Sequence, residues 1–249
     1  MNRREFLMGS AAGIGITGAG LWLEGHISER MRASDSTSTA VKLTPPATGQ
    51  IPVAFAISEG VQVIDFSGPW EVFQDVALNP TKSDRGEYGR NPFDLYTVAA
   101  TKDSVTGSGG LKILPDYTFA TAPAPKIVVV PAQQGSPALH AWLKRVADSP
   151  ETDLVTSVCT GAFQLAAAGL LSGRPATTHH LFQKTLKQKY PDVDVKSGLR
   201  FVESGKIDTA GGLTSGVDMA LRVVDRYYGR AVAQQTAEYM EYQSKGWMV

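Results

Sequence analysis

The chain has 249 residues, 43% of them hydrophobic and 19% charged. That suffices for a sizeable buried core and excludes wholesale disorder. Lysine plus arginine and aspartate plus glutamate balance at 24 each, which leaves no basic stripe to track phosphates, so no nucleic-acid partner is expected. The single cysteine, Cys159, excludes an intramolecular disulfide and a multi-cysteine zinc site. The four histidines, His26, His140, His179 and His180, lack the spacing of a helical metal motif, so no metal is expected.

The chain opens on Arg3-Arg4-Glu5-Phe6-Leu7, followed by an uncharged apolar core that contains Gly9, Gly13, Gly15, Gly18 and Gly20. A positive start before a weakly hydrophobic, glycine-rich core reads as a signal segment. It resembles a twin-arginine export signal, which implies the twin-arginine translocon as a transient partner and a periplasmic or exported destination. If uncleaved, the segment acts as a membrane anchor. Residues 1–30 are therefore set aside as signal or anchor. Residues 31–50, rich in Pro, Ser and Thr, read as a linker. Residues 51–249 are expected to form one domain.

Within that domain, 52–58 (PVAFAIS) is an apolar run suited to a buried strand. Gly68-Pro69 then introduces WEVFQDVAL at helical spacing, with proline in the first turn. Residues 79–92 are a polar loop, 93–101 a strand, and 111–118 a segment able to pair nearby. A third buried run is 126–130 (KIVVV). Residues 136–148 form an amphipathic helix with Leu139, Trp142, Leu143 and Val146 on one face. A fourth strand, 153–158, runs up to Cys159, and 161–171 is a helix of small residues. A strand at 176–178 and a helix at 181–190 follow. Residues 193–209 read as two strands joined at 203–206, and 214–228 and 231–242 as helices. Thr214 is expected to open the first of these as a capped start.

Strands alternate with helices, and most strand runs are apolar throughout. The expected fold is α/β, a three-layer sandwich with a mostly parallel central sheet, flavodoxin-like. Ligands bind such sheets at the carboxyl edge of the strands.

Cys159 falls at that edge. An apolar strand precedes it and a helix follows, with small residues permitting a sharp turn, as in a nucleophile elbow. Amides at the start of the following helix favour a thiolate, so the thiol pKa is expected below the free value of about 8.5.

The stretch SVCTGAFQLAAAGLLSGRPATTHH, residues 157–180, resembles the nucleophile region of the ThiJ/PfpI superfamily, the parkinsonism-associated deglycase family with a class I glutamine amidotransferase-like fold. The segment from Val61 through Asp65, Gly68, Pro69 and Glu71 to Phe73 is similar to the family's acidic-residue segment. The end of the domain, from Ala210-Gly211-Gly212-Leu213 onward, agrees as well. The combinations D-x-x-G-P-x-E-V-F and C-T-G-A resemble the isonitrile hydratase-like branch. The sensor domains of certain AraC-type regulators look similar.

The resemblance implies Cys159 as nucleophile, Asp65 as its general acid/base, Thr160 as a site residue after the nucleophile, and His179 as a site wall or proton carrier. His180 does not match, and Glu71 is read as structural or dimer-related. Pro131-Ala132-Gln133 replaces the family's Gly-Gly after the strand-ending proline, so Ala132 and Gln133, with Gly68, are expected to shape the substrate pocket. A homodimer, a small-molecule substrate and no cofactor are implied too. The expected function is a cysteine-dependent enzyme of the isonitrile hydratase kind or a related thiol hydrolase or lyase. The competing reading is an exported ligand-binding or redox-sensing module. A transcription regulator is disfavoured, because no helix-turn-helix region is expected after the last helix.

Overall fold

The computed structural model describes residues 42–78 and 91–249. The signal segment, most of the linker, and nearly all of the 79–92 loop lie outside the described residues.

The core is built around β1 (Ile51–Ala56), β2 (Phe93–Ala99), β6 (Ile127–Val130), β7 (Leu154–Ser157) and β11 (Ile207–Ala210). With β5 (Tyr117–Thr118) and β10 (Phe201–Ser204) they form a seven-stranded sheet in the order β10-β11-β7-β6-β1-β2-β5. Every pairing is parallel except β10 with β11. The two middle strands, β1 and β6, are apolar on both faces because both faces are covered. On β1, Val53 and Phe55 point into one core while Ala54 and Ala56 point into the other, and all four are fully buried.

The first face carries α1 (Val63–Gln74), α5 (Ser215–Tyr228) and α6 (Arg230–Tyr239); the second carries α2 (Pro137–Asp148), α3 (Ala162–Ala167) and α4 (Gln183–Lys189). The three-layer α/β expectation holds. Helix α2 buries the expected stripe of Leu139, Trp142, Leu143 and Val146, and the Ser136 hydroxyl caps it by accepting from the Leu139 N–H at 3.1 Å. Two small ribbons lie outside the main sheet: β3 (Val105–Thr106) with β4 (Lys112–Ile113), and β8 (Pro175–Ala176) with β9 (Asp194–Val195).

Three local expectations are corrected. Helix α1 begins at Val63, ahead of the Gly68-Pro69 start read from the sequence, and holds Pro69 in its interior. Proline cannot donate to the carbonyl four residues back, which is that of Asp65, so the helix lacks that one bond. Packing compensates: α1 lies against α5, where a Cβ built on Gly216 falls 3.3 Å from the Pro69 ring. The β10–β11 hairpin turns at Gly205-Lys206, tighter than the 203–206 connection expected, and Gly205 supplies the positive φ of 68° that such a turn needs. Thr214 precedes α5 but makes no capping hydrogen bond; its hydroxyl accepts from Arg200 instead.

Candidate active site

Strands β6 and β7 end side by side, and the chain leaves β7 through Val158 into a 3₁₀ turn, Cys159–Gly161, before α3. Cys159 has a φ of 59°. A residue with a side chain is strained there, by an amount of order 1–2 kcal/mol, and keeps that shape only if its surroundings hold it. They do. The Cys159 N–H donates to the Gly211 carbonyl at 2.7 Å, and the Cys159 carbonyl accepts from the Thr178 hydroxyl at 2.7 Å. Gly161 lets the turn press against β6: a Cβ there would lie 2.1 Å from the Val130 carbonyl oxygen and 2.9 Å from that of Pro131.

Asp65 comes to the same place from the first turn of α1, and its side chain is fully buried. One carboxylate oxygen accepts from the Ala132 N–H at 3.2 Å. The carboxyl lies beside the Cys159 thiol; its other oxygen, Oδ1, is buried and makes no hydrogen bond among the described residues, and the Leu213 N–H lies near enough to favour the charged form of both groups. The Thr160 N–H also faces the sulfur. Leu213 itself has a φ of 52°, so this second amide, like the elbow, is presented by a strained backbone.

Burial pushes Asp65 up from 3.8 to about 6, against the backbone N–H of Ala132, the Cys159 thiol and the Leu213 N–H, which favour the anion. Burial, and then the charge of Asp65, push Cys159 up from 9.0 to about 11. This corrects the depressed thiol pKa expected from the sequence. The helix-start amides do favour the thiolate, but loss of solvent and a facing carboxylate outweigh them. Between about 6 and about 11 the pair holds one proton. The charge rests on Asp65 and the proton on sulfur, which makes Asp65 a base aimed at the thiol.

The raised Asp65 has a stability consequence of definite sign. The fold favours the neutral carboxyl, so that stabilisation is complete below 3.8 and is lost as pH rises through about 6. The span corresponds to about 3 kcal/mol. Asp65→Asn keeps the size of the side chain and removes the charge. It is expected to gain on the wild type as pH rises from 4 to 7.5, by up to that figure. Urea unfolding of both proteins at the two pH values measures it; a difference that does not change with pH would contradict a charged, buried Asp65.

The other expected site residues divide. Ala132 touches the pair through its amide, and its carbonyl accepts from Gln62 N–H at 2.8 Å. Gln133 turns its side chain back to the Ala56 carbonyl at 2.8 Å, and its own carbonyl accepts from Gln164 at 3.0 Å. Neither has a positive φ, which is why side chains replace the glycines here without strain. Thr160 contributes its amide. Gly68 is buried where α1 packs on α5, and a Cβ there would lie 3.0 Å from a Val217 methyl.

The His179 ring makes no hydrogen bond to Cys159 or Asp65 among the described residues. Its Nδ1 accepts from the Leu181 N–H at 3.3 Å, its ring stacks on His180 at 4.5 Å, and it packs on Gly212, where a Cβ would fall 2.2 Å away. Partial burial, then the neighbouring His180, hold its pKa below the usual imidazole value. It is a wall of the turn that bears Leu213. Sequence reasoning missed Thr178 and Leu213 as site residues. Both lie inside the quoted stretches, but a lone amide carries no side-chain signature, and a threonine hydroxyl does not announce in the sequence which distant carbonyl it will hold.

The DJ-1/PfpI family profile matches residues 52–226. The chain belongs to the DJ-1/PfpI family. Among its relatives, an isonitrile hydratase of Pseudomonas putida is 31% identical over 196 residues, covering 76% of this chain and 78% of that enzyme. The HTH-type transcriptional regulator GbdR of Pseudomonas aeruginosa is 27% identical over 171 residues, covering 67% of this chain but 46% of the regulator. A crystal structure of a ThiJ/PfpI family protein from Pseudomonas syringae superposes with a TM-score of 0.65 at 24% identity, covering 86% of this chain and 84% of that one.

Proposed function

We propose that this DJ-1/PfpI protein hydrates isonitriles to N-substituted formamides, with Cys159 as nucleophile and Asp65 moving the protons. The observation that carries the reading is the buried Asp65 carboxyl facing the Cys159 thiol, with two backbone amides at the sulfur. Likeness to the isonitrile hydratase of Pseudomonas putida supports the choice of substrate.

The chemistry follows from that pair. The sulfur bonds to the terminal carbon of R–N≡C while Asp65 takes the thiol proton and delivers it to the same carbon, giving the thioimidate R–N=CH–S. Water then adds to this carbon. Asp65 takes one of its protons and passes it to the nitrogen, giving R–NH–CH(OH)–S. Asp65 then takes the hydroxyl proton as the C–S bond breaks and returns it to the sulfur, and R–NH–CHO leaves. Asp65 works as a base, so kcat/KM is expected to rise with pH through about 6 and to level off at neutral pH. A rate that falls across that limb would reverse the assigned protonation states.

The test is product analysis with an aliphatic isonitrile, a 2-oxoaldehyde and a small amide. Formamide from the isonitrile, with the other two unchanged, supports the proposal. Turnover of either alternative and none of the isonitrile overturns it. A second reading is a non-catalytic ligand-binding or redox-sensing module, and what supports it is the likeness to a transcriptional regulator, which is not named as an enzyme. A peroxide-dependent mass gain on Cys159, with no turnover of any of the three compounds, would favour that one.

A further inference from the structure

The turn from Gly211 to Thr214 meets the Cys159–Asp65 pair directly: the Gly211 carbonyl accepts from the Cys159 N–H at 2.7 Å, and Leu213, at a strained φ of 52°, sets its amide beside both groups. What holds it lies outside the pair. Arg200, just ahead of β10, accepts the Gly211 N–H on its own carbonyl at 2.8 Å. Its guanidinium donates to the Thr214 hydroxyl at 3.2 Å and pairs with the Asp218 carboxylate. The Asp218 side chain is fully buried, so its charge needs that partner. The C-terminal segment closes over the pair: the Ser244 hydroxyl donates to Asp218 at 2.9 Å, and the Tyr242 hydroxyl donates to the Thr214 carbonyl at 3.3 Å. Gly246 fits against Asp218 without a side chain, since a Cβ there would lie 2.9 Å from a carboxylate oxygen.

We infer that the Arg200–Asp218 ion pair is a positioning device for the active site, clamping the Gly211–Thr214 turn so that the Leu213 amide points at the reacting pair. Arg200 and Asp218 touch no reacting atom. They act through a backbone that is unfavourable by itself and relaxes when the clamp is released. Because the Leu213 amide favours both anions, its withdrawal makes the first proton of the pair harder to remove. The inference rests on Cys159 and Asp65 being the reacting pair, and it is independent of which substrate they act on.

The experiment is the pH dependence of Cys159 alkylation by iodoacetamide, which needs no substrate. Asp65 is the charged group acting on the thiol, so the low-pH rise in rate reports the pair. In Arg200→Met that rise is expected to move up by about one pH unit, the scale of one lost hydrogen bond to a charged group. Arg200→Lys, which can still pair with Asp218, is expected to restore part of the shift. A folded Arg200→Met whose profile is unmoved or moves down overturns the inference. If Arg200→Met does not fold, Thr214→Val decides in its place. It removes one exposed hydroxyl from the clamp, and an upward shift supports the inference while an unmoved profile overturns it.

Discussion

Cys159→Ala is expected to leave no measurable turnover of any substrate, while the protein folds with a stability close to that of the wild type. The sulfur is the only heavy atom removed. It is buried, with the residue 7% exposed, so its loss leaves a cavity of about one methylene, at about 1 kcal/mol. The backbone ties of residue 159 are to the Gly211 carbonyl and the Thr178 hydroxyl, and alanine keeps both. The chemistry has no substitute, because a nucleophile is required for the covalent step. Asp65→Asn should be milder. It keeps the nucleophile and loses the base, a change of about 10²–10⁴-fold in kcat. Residual turnover in Cys159→Ala comparable to that of Asp65→Asn would remove the sulfur from the mechanism. A collapse of the fold in Cys159→Ala would instead mean that the thiol is a packing element.

Gly161→Ala is expected to be the most damaging single methyl addition near the site. The glycine has ordinary helical angles, with φ at −55°, so no backbone strain argues against alanine, and helix propensity alone favours it by about 1 kcal/mol. Space decides otherwise. The new Cβ would fall 2.1 Å from the Val130 carbonyl oxygen and 2.9 Å from that of Pro131. Both are backbone atoms at the end of β6 and cannot rotate away. The 3₁₀ turn and the strand end must separate, at a cost of about 3 kcal/mol or more. For a domain of this size that lowers Tm by about 6–12 °C. Activity should fall with it, because the displaced strand end leads directly to Ala132, whose N–H holds Asp65. Thr160→Ala, next along the chain, is the control. The Thr160 hydroxyl makes no hydrogen bond among the described residues, so its Tm should barely move. Thermal melting of the two variants checks the pair, and equal Tm values would show that the turn has room that its geometry denies.

Much of this is legible in the sequence, because it depends on patterns that are local. Runs such as IVVV and PVAFAIS suit strands covered on both sides, and their alternation with helices leaves a parallel three-layer sheet as the outcome. A lone cysteine between an apolar strand and a run of small residues marks an elbow at the sheet edge, and the family resemblance adds Asp65 to it. Other features depend on packing between segments far apart in the chain, and these only the tertiary structure decided. Helix α1 runs through Pro69 without the one hydrogen bond that proline denies, and there it packs against α5. Gly68 is a packing residue because Val217 lies above it. Leu213 serves through a backbone amide, to which any sequence pattern is blind, and the Thr178 hydroxyl finds the Cys159 carbonyl only once the two segments fold together. The thiol shows the difference most sharply. Local reasoning sees the helix that follows Cys159 and lowers its pKa, whereas the fold removes its solvent and sets the Asp65 charge against it, and in a buried site those two effects are the larger.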